Sequence, residues 1–274
     1  MNKDKNRVLV GAPTSIRHSH CIEKHWDSVK DLPCDFYYID TTPEEEGHSH
    51  YQRLKELVGD KGNVFRSPFD LKEKSVHQWL ADARNFIREY FLEHKEYSHL
   101  WFIDTDIILP CGVNNLEVLL NADKDQIGFP YSLYAKEDTK HHPPNVMKHG
   151  WIIMDNNSTN ENRKTYDFYS WEELENLECP AKVYSSGMGC LLIKRKVLEN
   201  VPFRTHPTFI VGEDIWFHTE ANEKEYEAWC YHKIRPEHLN VSWKCVDPSI
   251  DMSDIMLVPK CIVSTPKDLP EVML

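Results

Sequence analysis

The sequence predicts an α/β domain built on an open, mostly parallel central sheet with helices on both faces. Three observations carry that prediction. Short apolar runs alternate with amphipathic helical segments along the chain. Several runs are apolar at consecutive positions, as in strands buried on both faces. Polar groups stand just past the ends of these runs (Ser15, Asp40, Asp104), where sheets of this kind bind their ligands. With 274 residues, 41% of them hydrophobic, there is material for one large core. No internal repeat is visible.

The elements follow in order. Arg7-Val8-Leu9-Val10-Gly11 reads as the first strand, breaking into a loop at Ala12-Pro13-Thr14-Ser15, with a helix from about Ser19 to Val29. Asp35 to Asp40 (DFYYID) is a second strand. A helical segment near Tyr51 to Leu57 and a brief strand at Asn63-Val64-Phe65 come next. Residues 75–94 space Val76, Trp79, Leu80, Ala83, Ile87 and Phe91 at helical intervals and lead into the buried strand Leu100-Trp101-Phe102-Ile103. Beyond Pro110, a helix near Asn115 to Leu120 precedes the strand Gln126 to Pro130.

Residues 135–180 change character. They are rich in His, Pro, Asn and other polar residues, and they read as an insertion with long loops, including a hairpin around Trp151-Ile152-Ile153-Met154. The regular pattern resumes at Ala181, with an apolar strand at Cys190 to Ile193, a helical run from Ile215 to Ala221 and strand-like residues Glu227 to Tyr231. The chain thus divides into a first half (7–134), the insertion, a second half (181–246) and a tail (247–274), all within one domain.

The most informative stretch is HLWFIDTDIIL at residues 99–109, where a buried strand stops abruptly at Asp104-Thr105-Asp106. In extended chain, residues two apart project to the same side, so the two carboxylates are expected to converge. Buried carboxylates need a partner, and a divalent cation such as Mg²⁺ or Mn²⁺ prefers oxygen donors while leaving positions for substrate phosphates. The competing account is a strand end whose acids face water or pair with Lys or Arg.

Three further constellations matter. Ser185-Ser186-Gly187-Met188-Gly189 precedes a strand, and its glycines allow close backbone approach to a ligand, although a plain turn explains them as well. Glu213-Asp214 opens a helix, where acidic residues cap free amides or, in a cleft, supply a base. His238 follows a strand and is acceptable as a third ligand for Mn²⁺. The pairs His18/His20 and His48/His50 resemble metal-site fragments without a recognisable third ligand and stay unassigned, solvated surface histidine being the default.

Composition narrows the function. A net charge of -12 argues against a phosphate-backbone binder, with only Lys194-Arg195-Lys196 and Arg163-Lys164 as mildly basic clusters. Eight cysteines without CxxC spacing point to reduced thiols rather than a zinc knuckle. No apolar run approaches a membrane span, and a cytoplasmic location is expected.

The order of motifs resembles nucleotide-sugar glycosyltransferases of the GT-A fold, particularly the inverting family-2-like enzymes. The resemblance rests on VLVGAPTS, YYIDTT, ADARNFIREYF, FIDTDIILP, SSGMGCLLIKRKVLENVPF, GEDIWF and EHLNVSW, spanning roughly residues 7 to 243. It implies a single Rossmann-like GT-A domain, a UDP- or GDP-sugar donor and a bound Mn²⁺ or Mg²⁺. Ala12, Pro13, Thr14 and Asp40 would hold the nucleotide base, with Arg84 and Asn85 bordering the pocket. Asp104 would contact the ribose or the metal, and Asp106 would bind the cation with His238. Gly187, Met188 and Gly189 would line the sugar pocket. Asp214 would be the general base, with Glu213 as its rival. The acceptor stays open among a glycan, a lipid-linked glycan, a protein, a small molecule and a modified nucleobase, because the insertion and the tail depart from the family pattern. Two other readings are a nucleotidyltransferase that makes the sugar nucleotide, for which GAPTSIRH is a poor phosphate loop, and a non-catalytic nucleotide- or glycan-binding module.

Overall fold

The computed structural model describes residues 7–68, 75–132, 143–149, 168–205 and 212–239. The hairpin expected at Trp151 to Met154 and the tail after 246 lie outside the described residues. In chain order the first elements are β1 (Arg7–Thr14), α1 (Ile22–Val29), β2 (Asp35–Asp40), α2 (Ser49–Val58), β3 (Gly62–Arg66), α3 (Val76–Glu93) and β4 (Tyr97–Ile103). Then come β5 (Ile107–Ile108), α4 (Asn115–Ala122), β6 (Gln126–Gly128), β7 (Val146–Met147), α5 (Trp171–Glu175), β8 (Ala181–Val183) and β9 (Ser185–Ser186). The last are β10 (Cys190–Lys194), α6 (Arg195–Asn200), α7 (Glu213–Glu223), β11 (Ala228–Cys230) and β12 (Glu237–His238).

Among the described residues the main sheet has eight strands in the order β3-β2-β1-β4-β10-β6-β11-β8. Strands β1 to β4 run parallel to one another, β10 is antiparallel to both β4 and β6, and β8 is antiparallel to β11. This is the open, mostly parallel, helix-flanked sheet that the sequence predicts. The strand order reverses between β1 and β4: β2 and β3 extend to one side of β1, β4 to the other. Their carboxyl ends therefore frame the crevice where such sheets bind ligands.

Side chains alternate across the strands and fill a core on each face. Val8, Val10, Ala12, Trp101 and Ile103 pack with Ile22 and Trp26 of α1, Leu54 of α2 and Leu116 of α4. Leu9, Ile39, Leu100 and Phe102 pack on the opposite face with Ile87 and Phe91 of α3, Val197 of α6 and Phe217 of α7. Burial on both faces is what makes these strands read as unbroken apolar runs. Three helix starts carry a side-chain cap, at Ser75, Asn114 and Ser170; the Ser75 side chain accepts from the Gln78 amide at 3.2 Å.

Several expectations change. The loop predicted at Ala12-Pro13-Thr14 is strand: β1 continues to Thr14, with Pro13 opposite Ile39 and Thr14 opposite Asp40. Proline is accommodated because β1 pairs with β4 only as far as Gly11, so no partner on that side needs its missing N–H. The polar segment also contains more order than expected, since β7 pairs with β9 and α5 starts with a capping box between Ser170 and Glu173. His50, read as a surface residue, is buried.

Candidate functional site

β4 delivers Asp104 to the crevice, and the chain then turns. The Ile107 amide donates to the Asp104 carbonyl at 2.9 Å, so Asp104 to Asp106 form a turn rather than the extended segment the sequence suggested. The two carboxylates consequently have different partners. Asp104 is gripped by Arg84 of α3, whose Nη1 and Nη2 donate to its two oxygens at 3.2 and 2.9 Å. Asp106 faces His238, with Nε2 to Oδ2 at 3.2 Å, and the His18 Nε2 lies 3.8 Å from the same oxygen.

Arg84 is buried and joins two acids, because its Nε also donates to Glu213 Oε1 at 3.0 Å. The flat guanidinium lies over the Phe102 ring, 5.0 Å from its centroid. Burial alone would lower the Arg84 pKa, but Asp104 and Glu213 outweigh it and hold the group charged. Burial pushes the Glu213 carboxyl up to about 7 against the pull of Arg84, and neighbouring Asp214 adds to the rise. Asn85, the next residue, is committed elsewhere: both its amide atoms bond the Phe203 backbone, fastening α3 to the segment after α6 rather than joining the crevice group.

The Asp106 corner is built by a small ribbon. β12 pairs antiparallel with β5, setting His238 opposite Ile107, and the Leu239 amide donates to the Asp106 carbonyl at 2.7 Å. His238 Nδ1 donates to the Ser132 carbonyl at 2.8 Å, which directs Nε2 toward Asp106. Burial opposes charge on Asp106, yet the His238 hydrogen bond with the charges of His18 and His238 holds its carboxyl below the usual range. Burial likewise opposes charge on His238, and Asp106 outweighs it and raises the imidazole.

These residues suit a divalent cation by their chemistry. Asp106 supplies a carboxylate oxygen, and an imidazole nitrogen whose other ring nitrogen is tied to a carbonyl is the usual arrangement of a histidine ligand. Among the described residues no group of three or more His, Cys, Asp or Glu side chains is placed to hold a metal ion. Asp104, also expected near the metal, spends both oxygens on Arg84.

The other expected residues distribute as follows. Asp40 ends β2 and is buried; its Oδ1 accepts from the Thr42 amide and hydroxyl, while Oδ2 is buried with no partner. Ala12, Pro13 and Thr14 run beside it in β1. Gly187 and Gly189 hug a residue that sequence reasoning passed over, Tyr131. A Cβ on Gly187 would lie 2.4 Å from Tyr131 Oη, and one on Gly189 would lie 2.7 Å from Oη and 3.1 Å from Asp104 Oδ2. Tyr131 Oη accepts from the Gly189 amide at 3.0 Å and the Asn145 amide at 3.1 Å. The signal available was its place, just past β6 as Asp104 is just past β4. Met188, between the glycines, turns its side chain into the apolar core, so only its backbone is available to a sugar pocket. Asp214 sits in the first turn of α7, its Oδ1 accepting from the Ile215 amide at 2.8 Å. A Cβ on Gly212 would meet that Oδ1 at 2.4 Å.

Fold and site together define an α/β domain with an open, mostly parallel sheet and an acid and imidazole cluster at the carboxyl ends of β1 and β4. No family model and no curated protein matches the chain. Among solved structures, A197 from STIV is similar at 17% identity and a TM-score of 0.44, with 86% of each chain covered. S. aureus TarS 1-349 is similar at 11% identity and a TM-score of 0.47; the match covers 85% of this chain and 60% of that one. No helix among the described residues is long and apolar enough to cross a membrane.

Proposed function

We propose that the protein is a glycosyltransferase that moves a sugar from a UDP- or GDP-sugar to a hydroxyl acceptor with inversion. The observation that carries the nucleotide assignment is Asp40 Oδ2, a buried carboxylate oxygen without a partner at the edge of the crevice. An acceptor left unpaired in this way costs free energy, and an N–H on a nucleobase edge supplies the missing partner. Beside it, Thr14 ends β1 next to the turn that carries Asp106.

The reacting end follows from the other residues. Asp106 and His238 would hold a divalent cation, Mn²⁺ or Mg²⁺, whose charge stabilises the departing diphosphate. Arg84 fixes Asp104 at the crevice wall through two hydrogen bonds. The acceptor oxygen bonds to the anomeric carbon as the bond to phosphate breaks; that electron pair leaves with the diphosphate, and the acceptor proton passes to Asp214. Glu213 is the weaker candidate for base, because its Oε1 is bonded to Arg84 and its side chain is buried. Gly187 and Gly189 let the Tyr131 hydroxyl close against their backbone beside Asp104, and this wall would face the sugar.

Titration calorimetry with UDP and GDP tests this reading, with Mn²⁺ or with EDTA. Binding is expected to require the cation, to weaken at least tenfold in Asp40→Ala, and to be lost in Asp106→Ala. Asp214→Asn is expected to bind nucleotide normally and transfer no sugar in a screen of sugar-nucleotide donors. Nucleotide binding that ignores both EDTA and Asp40→Ala overturns the assignment.

A further inference from the structure

His18 enters none of the roles above, although its Nε2 shares a carboxylate oxygen with His238. We propose that His18 is a third protein ligand of the cation, through Nε2, making a one-carboxylate, two-imidazole site with Asp106 and His238. The proposal rests on the reading of Asp106 and His238 as a cation site.

The position is built from the backbone up. His18 ends the short 3-10 turn Ile16–His18 immediately after β1, and 29% of its side chain is exposed, so the ring borders the crevice. One ring nitrogen is held from behind, Nδ1 lying 2.8 Å from Thr105 Oγ1. The other points at Asp106, 3.8 Å from Oδ2, where His238 Nε2 stands at 3.2 Å. Two neighbouring ligands on one first-row cation lie roughly 3 Å apart, given metal–ligand distances of about 2.1 Å. His238 already satisfies that spacing. His18 stands about 1 Å beyond that spacing from Asp106 Oδ2, and the three side chains do not form a ligand group as they stand, so the proposal requires the His18 ring to move toward Asp106.

The support behind His18 is what a ligand histidine requires. A metal-bound imidazole needs its second nitrogen tied to an acceptor, which fixes ring and tautomer. Thr105 Oγ1 fills that role and is itself supported: it lies 2.8 Å from Thr14 Oγ1, which lies 3.1 Å from His50 Nε2, whose Nδ1 is 3.0 Å from Ser19 Oγ. Burial holds His50 neutral, lowered to about 4, so it carries a single ring proton. One proton then serves each link in either direction. With His18 Nδ1–H donating to Thr105, Thr105 to Thr14, Thr14 to His50 and His50 to Ser19, the His18 Nε2 lone pair faces the crevice. In the reverse direction Nε2 carries a proton and serves as a donor to diphosphate oxygen. A cation selects the first arrangement. The histidines at 18 and 50, unassigned in the sequence, thus become a ligand and the far end of its support.

Two imidazoles also change selectivity. Carboxylate and water suit Mg²⁺, whereas imidazole favours Mn²⁺ and the later first-row cations in rising order. The site is therefore expected to bind Mn²⁺ and Co²⁺ more tightly than Mg²⁺.

The test uses Mn²⁺ alone, without nucleotide, followed by electron paramagnetic resonance, and Co²⁺ followed by its visible absorption. His18→Ala is expected to weaken Mn²⁺ binding at least tenfold and to shift the Co²⁺ spectrum. Loss of even an outer-shell partner typically costs about 10–100-fold in metal affinity. Thr105→Val, which keeps the imidazole and removes its support, is expected to weaken binding by about tenfold. Unchanged melting temperatures for both variants establish that they fold. If Asp106→Ala abolishes Mn²⁺ binding while His18→Ala leaves it intact, the third-ligand proposal falls and the two-residue site stands. If His18→Ala weakens only the binding of UDP with Mn²⁺, His18 is a diphosphate donor and the proposal also falls. Binding insensitive to Asp106→Ala removes both readings.

Discussion

Replacing Arg84 by methionine removes one cation from between two carboxylates while keeping an apolar, polarisable chain against the Phe102 ring. The side chains of Arg84 and Glu213 are 4% and 6% exposed, and that of Asp104 is 23% exposed. Breaking a buried ion pair from one side costs about 3–5 kcal/mol, because the remaining charge has no compensation. Asp104 recovers part of its hydration and Glu213 escapes by taking up a proton, so a loss near the lower end, about 3 kcal/mol, is expected at pH 8. The pH dependence follows from the direction of the Glu213 shift. Its folded pKa, already about 7 in the wild type, rises further without Arg84. A carboxyl raised above its unfolded value loses stability as pH increases from the unfolded pKa through the folded one. The penalty of Arg84→Met is therefore larger at pH 8 than at pH 5.5, and Glu213→Gln added to it restores part of the loss at pH 8. Urea unfolding monitored by tryptophan fluorescence measures this, with Arg53→Met as reference. Arg53 pairs with Glu23 and Glu56 on the surface, where such a change costs about 0–1 kcal/mol. A loss no greater than that of Arg53→Met, or equal at the two pH values, refutes the buried triad as described.

Two further outcomes are expected. His25 is fully buried, with Nδ1 donating to the Ile107 carbonyl at 3.0 Å and Nε2 beside Tyr38 Oη at 3.0 Å; burial lowers it to about 4. The unfolded state takes up the proton first, so stability falls as pH drops from about 6.5 toward 4, by roughly 3 kcal/mol in full. His25→Gln should show a smaller drop in urea midpoint between pH 7 and pH 4.5, and an unchanged drop contradicts the assignment. Gly187→Ala places a methyl 2.4 Å from both Asn145 Nδ2 and Tyr131 Oη, which should cost about 1–3 kcal/mol through forced displacement. A melting temperature within 1 °C of wild type, on the order of a few tenths of a kcal/mol, shows that the loop yields freely.

What was legible in the sequence was whatever local pattern decides. The runs Phe36 to Ile39 and Leu100 to Ile103 are apolar throughout because both faces are covered, and α3 declares itself by spacing. Pro13 predicts a break, yet β1 runs through it because β4 stops pairing at Gly11. The reversed directions of β8 and β10 have no local signature. The site was legible as a set of polar residues at strand ends, not as a network. Nothing near Arg84 announces that it joins Asp104 to Glu213, 129 positions away, and nothing near His18 points to Thr105. Such pairings arise only when the sheet brings strand ends together.

The span of these pairings has a consequence for assembly. Thr14 meets Thr105 across 91 positions, and Asp106 meets His238 across 132. Long loop closures are entropically costly and come late in folding, and synthesis adds a further delay because the β1–β4 half leaves the ribosome well before the ribbon that carries His238. The parallel half of the sheet is able to collapse while the acidic turn still lacks its imidazole. Under the proposed function, cation binding would report on a chain synthesised past His238, and nascent or truncated molecules ending before Glu237 should hold much of the core yet lack the Asp106–His238 pair.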